Sequence, residues 1–244
     1  EIRFPVVEKT ELYTRSNEAA DIVTKEMYTF QDKGGESISL RPEGTAGCVR
    51  AAIEGDLLRT DKPRLWYSGP MFRYERPQKG RFRQFHQFSA EVFGICSAEI
   101  DAELILLSSR IWKELGISND VRLEINNLGD EDTRSAYSRA LVEFLKDEKD
   151  TLDEDTKRKL IENPLRILDS KSSEIQNLLN KAPKIGDFID KQSEDHHKKL
   201  TEILDNMNIN YEVNHKLVRG LDYYNQTVFE WKTNLLGSQD TILG

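Results

Sequence analysis

Residues 71–94 read MFRYERPQKGRFRQFHQFSAEVFG, and this stretch carries the clearest structural signal in the chain. It holds five arginine or lysine residues, five phenylalanines and three glutamines. Only Glu75 and Glu91 oppose those cations, although the whole chain has a formal net charge of −8. A local field depends on where charges lie and not only on their sum, so this stretch is the best candidate in an acidic chain for a surface that attracts an anion.

The same stretch, with the residues before it, predicts a β-hairpin. Residues 64–75 and 81–94 read as paired strands, and RPQKG between them contains the turn residues Pro77 and Gly80. Side chains on a strand alternate between two faces. One face of the hairpin therefore offers a guanidinium, carboxylates, an amide and an aromatic ring, which suit a ligand with a planar ring, an anionic group and an amine. This face consists of Met71, Arg73, Glu75, Phe85, Gln87 and Glu91.

A solvated hairpin explains the same spacing without a ligand. A basic turn at a hairpin tip is often only solvated, and Phe85 between polar neighbours is equally compatible with core packing. Against this, the loop RPQKGR adds cations for a polyphosphate, to which arginine binds in a bidentate manner. Spacing alone leaves both interpretations open.

Composition narrows the class of protein. At 244 residues and 28.2 kDa, the chain is long enough for one large domain or two small ones. Its 37% hydrophobic and 32% charged residues are typical of a water-soluble protein, and no apolar run approaches the roughly 20 residues that span a bilayer. The spacing of Cys48 and Cys96 predicts neither a disulfide framework nor a zinc site, which favours a reducing compartment. The adjacent His196 and His197 do not lie on one helix face, so they do not predict a metal site either. Because the chain begins with Glu1, we expect its natural N-terminus to lie upstream.

Short strands and helices around the hairpin predict a mixed α/β core. The opening EIRFPVVE alternates Ile2, Phe4 and Val6 and predicts a strand, which Pro5 restricts to a sheet edge or a subunit contact. The other predicted elements are two strands around a glycine turn in 27–40, a helix in 44–55, an amphipathic helix in 99–116 and a strand in 121–129.

The character of the sequence changes at about residue 131. Residues 131–208 are rich in Lys, Glu, Asp and Leu, show helical periodicity and are interrupted by Pro164 and Pro183. The economical interpretation is a mixed α/β core that is interrupted by a helical insertion. Strand-like sequence resumes in 211–214, 217–226 and 227–232.

A second candidate cluster is LRPEGTAG, residues 40–47. Glu43 follows a proline and precedes a glycine, so its carboxylate lies on a constrained turn that leads into the predicted helix. A negative charge there complements the helix dipole, which needs no ligand. The alternative is a carboxylate placed to hold an ammonium group.

A third candidate cluster is LVRGLDYYNQTVFE, residues 217–230. Arg219 precedes a glycine, and Tyr223 and Tyr224 supply hydroxyl groups and ring surface. A charged turn that enters a strand has the same composition. The sequence Asn225–Thr227 also fits a glycosylation sequon, which we discount because nothing indicates secretion.

Together these clusters resemble the histidyl-tRNA synthetase family of class II aminoacyl-tRNA synthetases, and its bacterial members above all. Residues 70–94 are similar to the family's motif 2, the hairpin that holds ATP. LVRGLDYY (217–224) resembles the signature peculiar to the histidine enzymes, and LRPEGT (40–45) resembles their amino-acid-binding loop. FPVVE (4–8) is similar to the end of motif 1, whose proline lies at the dimer interface, and NPLRILDSK (163–171) extends the resemblance into the insertion.

The resemblance implies a site for ATP and two catalytic arginines. Arg73 would bind the α-phosphate and help to position the carboxylate of histidine. Glu75 would meet the adenine amino group, Phe85 would stack on the adenine, and Arg81 would approach the terminal phosphates. Arg219 would stabilise charge on the α-phosphate from the side opposite Arg73.

The resemblance also implies a pocket for L-histidine. Glu43, Thr45 and Gln87 would hold the α-amino group, while Glu91 and Tyr224 would read the two imidazole nitrogens. The full implied histidine-binding set is Glu43, Gly44, Thr45, Arg73, Gln87, Glu91, Arg219, Tyr223 and Tyr224.

Fold, activity and partners follow as further implications. The expected fold is α/β (α+β), with a class II synthetase-like, mainly antiparallel mixed sheet flanked by helices and a helical insertion. The expected activity is histidine–tRNA ligation with ATP, Mg²⁺, L-histidine and histidine tRNA, in a cytoplasmic homodimer without a resident metal site or membrane association. The implied division is a first part of the catalytic core in 1–130, the insertion in 131–208 and the rest of the core in 209–244.

Other functions stay open at this point. The synthetase-like regulatory subunit of ATP phosphoribosyltransferase shares the fold and senses histidine without catalysis, but it does not need Arg73, Arg81 and Arg219 together. The helical region is either a protein-interaction module or, as the resemblance implies, an insertion that reaches toward the tRNA acceptor stem. We expect motif 3 and the anticodon-binding domain beyond Gly244, so we expect the chain to be a catalytic-domain fragment.

Overall fold

A computed structural model describes residues 1–15, 21–59, 62–146, 148, 152–170, 172–219, 224–237 and 240–244. The chain forms two compact units, Glu1–Ile100 and Asp101–Gly244. Strands in both units pair mainly in the antiparallel sense, with a parallel pair in the second unit. Among the described residues, no helix combines the length and apolar character needed to cross a membrane.

A small sheet begins the first unit. Strands β1 (Val7–Lys9), β2 (Thr29–Gln31) and β3 (Ser37–Leu40) lie in the order β1-β3-β2, and both pairings are antiparallel. The two strands predicted in 27–40 are confirmed. The strand predicted in EIRFPVVE is confined to its end, because the carbonyls of Phe4 and Pro5 accept hydrogen bonds from Arg41 Nη1, at 3.0 and 3.5 Å, instead of joining a ladder.

The described part of the first unit contains the helices α1 (Glu11–Thr14), α2 (Asp21–Thr24) and α3 (Thr45–Glu54). The prediction of a helix in 44–55 is confirmed. The inward face of α3 carries the buried Cys48 and Ala52, and Cys48 packs with Tyr67 and Met71 in one apolar cluster. This packing fixes the first turn of α3 against the hairpin.

The predicted hairpin consists of β4 (Arg64–Phe72) and β5 (Gln84–Val92). Its antiparallel register places Met71 opposite Phe85 and Leu65 opposite Glu91. The strands are shorter at the tip than predicted, because residues 73–83 form a loop that is closed by a bridge between Gln78 and Arg81. Beyond Arg73 the backbone N–H of Tyr74 donates to the carbonyl of Glu26 and that of Glu75 to the carbonyl of Arg73, so neither group continues the ladder with the partner strand.

The second unit contains a four-stranded sheet. Strands β6 (Val121–Asn127), β7 (Tyr211–Val213), β8 (Thr227–Thr233) and β9 (Thr241–Leu243) lie in the order β7-β6-β8-β9. Helix α4 (Ala98–Glu114), which was predicted in 99–116, packs against β8 through Trp112 and Trp231, whose ring centroids are 6.2 Å apart. Trp231 Nε1 donates to Ser108 Oγ at 2.8 Å, which satisfies both buried polar groups.

Helices form most of the described part of residues 131–208, as predicted. They are α5 (Glu131–Phe144), α6 (Glu154–Glu162), α7 (Ser173–Leu179) and α8 (Lys191–Asn206). Each begins after a residue whose side-chain oxygen accepts a backbone N–H of the first turn, which is the preferred way to start a helix. These N-cap residues are Asp130, Asp153, Ser172 and Asp190.

One apolar core joins these helices to the strand region of the same unit. Leu141, Ile167 and Leu179 from the helical region belong to the same buried cluster as Leu217 and Val228. The helical region therefore does not have a core separate from the segment that leads to Arg219. The functional division at residues 130 and 208 stays a prediction.

Candidate active site

The turn before α3 holds a carboxylate in place. Glu43 accepts hydrogen bonds from the backbone N–H groups of Thr45 at 2.5 Å and Ala46 at 3.0 Å. Burial raises the pKa of Glu43, although these two hydrogen bonds act in the opposite direction, and the nearby Glu91 raises it further. The side chain of Glu43 therefore lies at the N-terminus of α3, where it is a partly buried acidic group, and its role toward a ligand stays a prediction.

Gly44 is required at this turn by the closeness of the hairpin. A Cβ atom at Gly44 would lie 2.2 Å from Cε2 of Tyr67, well inside contact distance. The absence of a side chain thus lets the turn lie directly on the tyrosine ring. Tyr67 is buried at 3% exposure, so the ring has little room to move away.

Glu91 lies on the same face of the hairpin, beside that turn. Its Oε1 accepts hydrogen bonds from Thr45 Oγ1 at 2.8 Å and from the hydroxyl of Tyr67 at 3.1 Å. Burial raises the pKa of Glu91, while the two hydrogen bonds partly oppose the shift. Thr45 therefore lies between two partly buried carboxylates, which together suit a ligand with cationic or hydrogen-bond-donating nitrogen atoms.

Arg73 connects the hairpin to the same turn. Its Nε donates to the carbonyl of Pro42 at 2.7 Å, and its guanidinium lies 5.3 Å from the ring centroid of Phe85. Burial lowers the pKa of Arg73, and the carboxylates of Glu26, Glu75 and Glu43 oppose that shift. The predicted cluster of Arg73, Phe85 and Glu43 is thus a local neighbourhood in the first unit.

The loop 73–83 is not a simple solvated tip. Arg81 forms an ion pair with the partly buried Glu75, and Arg73 Nη1 lies 3.9 Å from the other oxygen of Glu75. Arg83 stacks on Tyr74, with its guanidinium carbon 4.0 Å from the ring centroid. Arg73 and Arg81 therefore both lie near the carboxylate of Glu75, which was predicted to contact adenine.

Gln87 lies opposite Gly69 on the same hairpin face, and its Nε2 donates to Ser89 Oγ at 2.9 Å. The space that a side chain at Gly69 would need is filled by Arg41, whose Nη2 would lie 2.4 Å from a Cβ. Together with the contacts above, this gives one continuous face from Phe85 to Glu91.

Arg41 is an important residue that the sequence argument missed. It is 6% exposed and donates to the carbonyl of Pro70 at 2.8 Å as well as to Phe4. It therefore ties the N-terminal segment, the turn before α3 and β4 together. The glycine at position 69 was the available signal, because glycine within a strand often marks a close approach of another group.

Arg219 lies in a polar neighbourhood of the second unit. Its Nη1 donates to Glu230 Oε1 at 2.6 Å, and its guanidinium carbon lies 5.2 Å from the ring centroid of Tyr224. Burial acts to lower the pKa of Arg219, but Tyr224 and Glu230 outweigh it and the pKa is raised. The predicted contact residue Tyr223 lies outside the described residues, as does Gly220 of the same motif.

The predicted site residues form two groups. Arg219 and Tyr224 belong to the second unit, and the other described residues of the predicted site belong to the first. The convergence of Arg73 and Arg219 on one phosphate therefore stays a prediction. Within the described ranges, no group of three or more His, Cys, Asp or Glu residues has the arrangement of a metal site. The first-unit group is Glu43, Gly44, Thr45, Arg73, Glu75, Arg81, Phe85, Gln87 and Glu91.

Comparisons with known proteins give consistent matches. A family model described as histidyl-tRNA synthetase matches residues 1–238. The crystal structure of apo S. aureus histidyl-tRNA synthetase matches with 36% sequence identity and a TM-score of 0.73, covering 96% of this chain and 53% of that chain. This match confirms the predicted class II synthetase-like fold, and this chain spans about half the length of the S. aureus chain.

Two more distant structures share the fold. One is described as an ATP phosphoribosyltransferase regulatory subunit/histidyl-tRNA synthetase from Bacillus halodurans C, with 22% identity and a TM-score of 0.65, covering 97% of this chain and 64% of that chain. The other is a histidine–tRNA ligase subunit from Alicyclobacillus acidocaldarius, with 18% identity and a TM-score of 0.60, covering 97% of this chain and 76% of that chain.

Proposed function

Because this chain belongs to the histidyl-tRNA synthetase family, we propose that its protein is a histidine–tRNA ligase. In this proposal it converts L-histidine and ATP into histidyl-adenylate and pyrophosphate, and then transfers histidine to the 3′ end of its tRNA with release of AMP. The observation that carries the proposal is the arrangement of Thr45 between Glu43 and Glu91, with Arg73 anchored to the same turn. This arrangement offers partners for an amine, a heteroaromatic ring and a phosphate within one unit.

Histidine recognition would use the two carboxylates for different nitrogens. Glu43, Thr45 and Gln87 would take the α-amino group, and Glu91 would take one imidazole nitrogen. A neutral imidazole has one donor and one acceptor nitrogen, so a second group is needed, and we assign that role to Tyr224 with Tyr223 beside it. A pocket that pairs both nitrogens disfavours isosteres that lack them, since buried polar groups would be left without partners.

ATP recognition would use the hairpin and its loop. Phe85 would stack on the adenine, and Glu75 would accept from its amino group. Arg81, which pairs with Glu75 in this structure, would leave that carboxylate and contact the terminal phosphates. The exchange replaces one charge-assisted contact with another, so a nucleotide can drive it through its own binding free energy.

The chemical step would require alignment and charge stabilisation. The carboxylate of histidine is ionised at neutral pH, so its attack on the α-phosphorus needs no general base. As the new carbon–oxygen–phosphorus linkage forms, the bond to pyrophosphate breaks and pyrophosphate leaves with the electron pair. Arg73 and Arg219 would stabilise the negative charge on the α-phosphoryl oxygens from two sides.

Mg²⁺ fits this scheme as a companion of ATP. In this proposal the ion enters with ATP and is held mainly through phosphate oxygens and water, as is common for Mg²⁺. When bound, it would neutralise phosphate charge. The histidine tRNA, a homodimeric assembly and a cytoplasmic location complete the proposal.

The regulatory subunit of ATP phosphoribosyltransferase is the alternative. The B. halodurans structure carries both descriptions, and at 22% identity it supports the shared fold alone. The presence of Arg73, Arg81 and Arg219 in one chain favours the ligase, because a histidine sensor has no phosphoryl transfer to stabilise.

Amino-acid-dependent exchange between ATP and pyrophosphate tests the proposal. The complete gene product should show exchange with L-histidine and with none of the other nineteen standard amino acids at comparable concentration. Histidine binding by calorimetry without any exchange would favour the regulatory alternative. Stimulation by a different amino acid would overturn both.

A further inference from the structure

We propose that Glu230 is the positioning residue that fixes the guanidinium of Arg219 for the reaction proposed above, on which this inference rests. Arg219 lies in a segment outside the strands, whereas Glu230 lies on β8 in the middle of a sheet. A strand residue is a rigid support for a group in an irregular segment. The proposal assigns to Glu230 a role that is separate from contact with substrate.

The contact between the two side chains is close and sheltered. Arg219 Nη1 and Glu230 Oε1 are 2.6 Å apart, and the two side chains are 20% and 14% exposed. Gly244 packs over the pair so closely that a Cβ there would lie 2.9 Å from Arg219 Nη1 and 3.0 Å from Glu230 Cγ. The limited exposure reduces screening by water, so the ion pair restrains the guanidinium more than a surface pair would.

Glu230 is itself held by its neighbours in the sheet. Its second oxygen accepts from Thr241 Oγ1 at 2.8 Å, and Lys232 Nζ lies 3.6 Å from that oxygen. Lys232 also lies 2.9 Å from Glu124, which is opposite Glu230 in the register of β6 and β8. Charges of alternating sign thus run along one sheet face to Arg219, which also lies close enough to the buried carboxyl of Asp169 to oppose the rise of its pKa.

Stability alone is a weak reason for such a row. Removing two charges from water costs free energy that their attraction only partly returns, and apolar replacements of partly buried ion pairs are often neutral or stabilising. A requirement for a defined guanidinium orientation explains why the row extends to an arginine outside the sheet. The ring of Tyr224, 5.2 Å from the guanidinium carbon, limits the motion further.

Three variants of the complete gene product separate positioning from a general structural role. Glu230→Gln keeps the shape and removes the charge, and Thr241→Val removes the donor that holds Glu230. Glu212→Gln is the matched control, since Glu212 is an exposed glutamate on β7 of the same sheet. For each variant we would measure kcat and KM for histidine in pyrophosphate exchange, the thermal unfolding midpoint, and the guanidinium NMR signals of Arg219 in ¹⁵N-arginine-labelled protein.

Positioning predicts that Glu230→Gln lowers kcat by roughly 10- to 100-fold, the range expected for a misplaced catalytic group, with KM changed by less than about threefold. The Arg219 guanidinium signals should broaden or shift, Thr241→Val should give a smaller loss, and Glu212→Gln should behave as wild type. Unchanged kcat, or unchanged Arg219 signals, in folded Glu230→Gln would overturn the inference. If the wild-type protein shows no exchange, the proposed function fails, and the Arg219 signals alone then decide whether Glu230 holds the guanidinium.

Discussion

At the scale of single residues, the first-unit site consists of groups that restrict one another. Gly44 has no side chain because Tyr67 occupies the space, and the Tyr67 hydroxyl donates to Glu91. Thr45 donates to Glu91 through its hydroxyl and to Glu43 through its backbone N–H. Each carboxylate is therefore held by donors that belong to the turn or to the hairpin, and its position follows from theirs.

The raised pKa of Glu91 has a consequence for stability. Because burial raises this pKa above the ordinary value of 4.5, the folded protein keeps a proton on Glu91 in a pH range where the unfolded chain has lost it. The free energy of unfolding should then fall as pH rises from the ordinary pKa through the raised one.

In Glu91→Gln this residue binds no proton in either state, so the fall of stability with pH should be shallower than in wild type. Urea unfolding at a series of pH values above 4.5 would measure the two slopes. Glu43, whose pKa is also raised, remains in the variant and leaves part of the effect. Equal slopes for the two proteins would show that Glu91 is not protonated preferentially in the folded state.

At the scale of elements, one face of the hairpin carries both core contacts and candidate binding residues, and the opposite face is more exposed. Its inner face places Met71 in the core beside Phe85, while Trp66 and Phe88 on the other face are 42% and 48% exposed. The loop 73–83 extends from this rigid pair of strands. Loops supported in this way commonly carry functional groups, because the strands fix their ends.

The loop yields a prediction about Arg81 and ATP. Arg81→Ala in the complete gene product should raise KM for ATP in pyrophosphate exchange by roughly 10- to 150-fold, since a charge-assisted contact to a phosphate contributes roughly 1.5–3 kcal/mol. KM for histidine should change little. Arg76→Ala, at an exposed position of the same loop, is the matched control. An equal effect of both substitutions would mean that the loop contributes only general positive charge.

At the scale of the whole molecule, the proposed reaction requires groups from both compact units. Arg73 belongs to Glu1–Ile100 and Arg219 to Asp101–Gly244. In each unit the arginine is attached to a different support, the carbonyl of Pro42 in one and the carboxylate of Glu230 in the other. The proposal therefore makes catalysis a property of the assembled chain.

A double-mutant cycle tests this requirement. If Arg73 and Arg219 act on one phosphate, Arg73→Ala and Arg219→Ala should each lower kcat by roughly 10²- to 10³-fold, and the double variant should lose much less than the product of the two effects. Pre-steady-state formation of histidyl-adenylate would give the rates. Strictly multiplicative losses would indicate that the two arginines contribute independently, which would contradict joint action on one phosphate.

The sequence by itself determined the local elements. Alternation in 64–75 and 81–94, the helix signal in 44–55 and the amphipathic pattern of 99–116 all depend on residues a few positions apart, so they could be read without coordinates. The family motifs likewise named Glu43, Arg73 and Glu91 as candidates. The strand predicted in EIRFPVVE begins later in the structure than predicted. The carbonyls of Phe4 and Pro5 accept hydrogen bonds from Arg41, which lies more than thirty positions away in the sequence.

Only the tertiary structure decided which groups satisfy one another. The role of Arg41, the pairing of Glu75 with Arg81 and the support of Arg219 by Glu230 depend on side chains that folding brings together. Lys232 and Glu124 are more than a hundred residues apart in sequence and 2.9 Å apart in the fold. Periodicity encodes which face of an element is apolar, but it does not encode which charge lies opposite which, because that depends on the packing of distant segments.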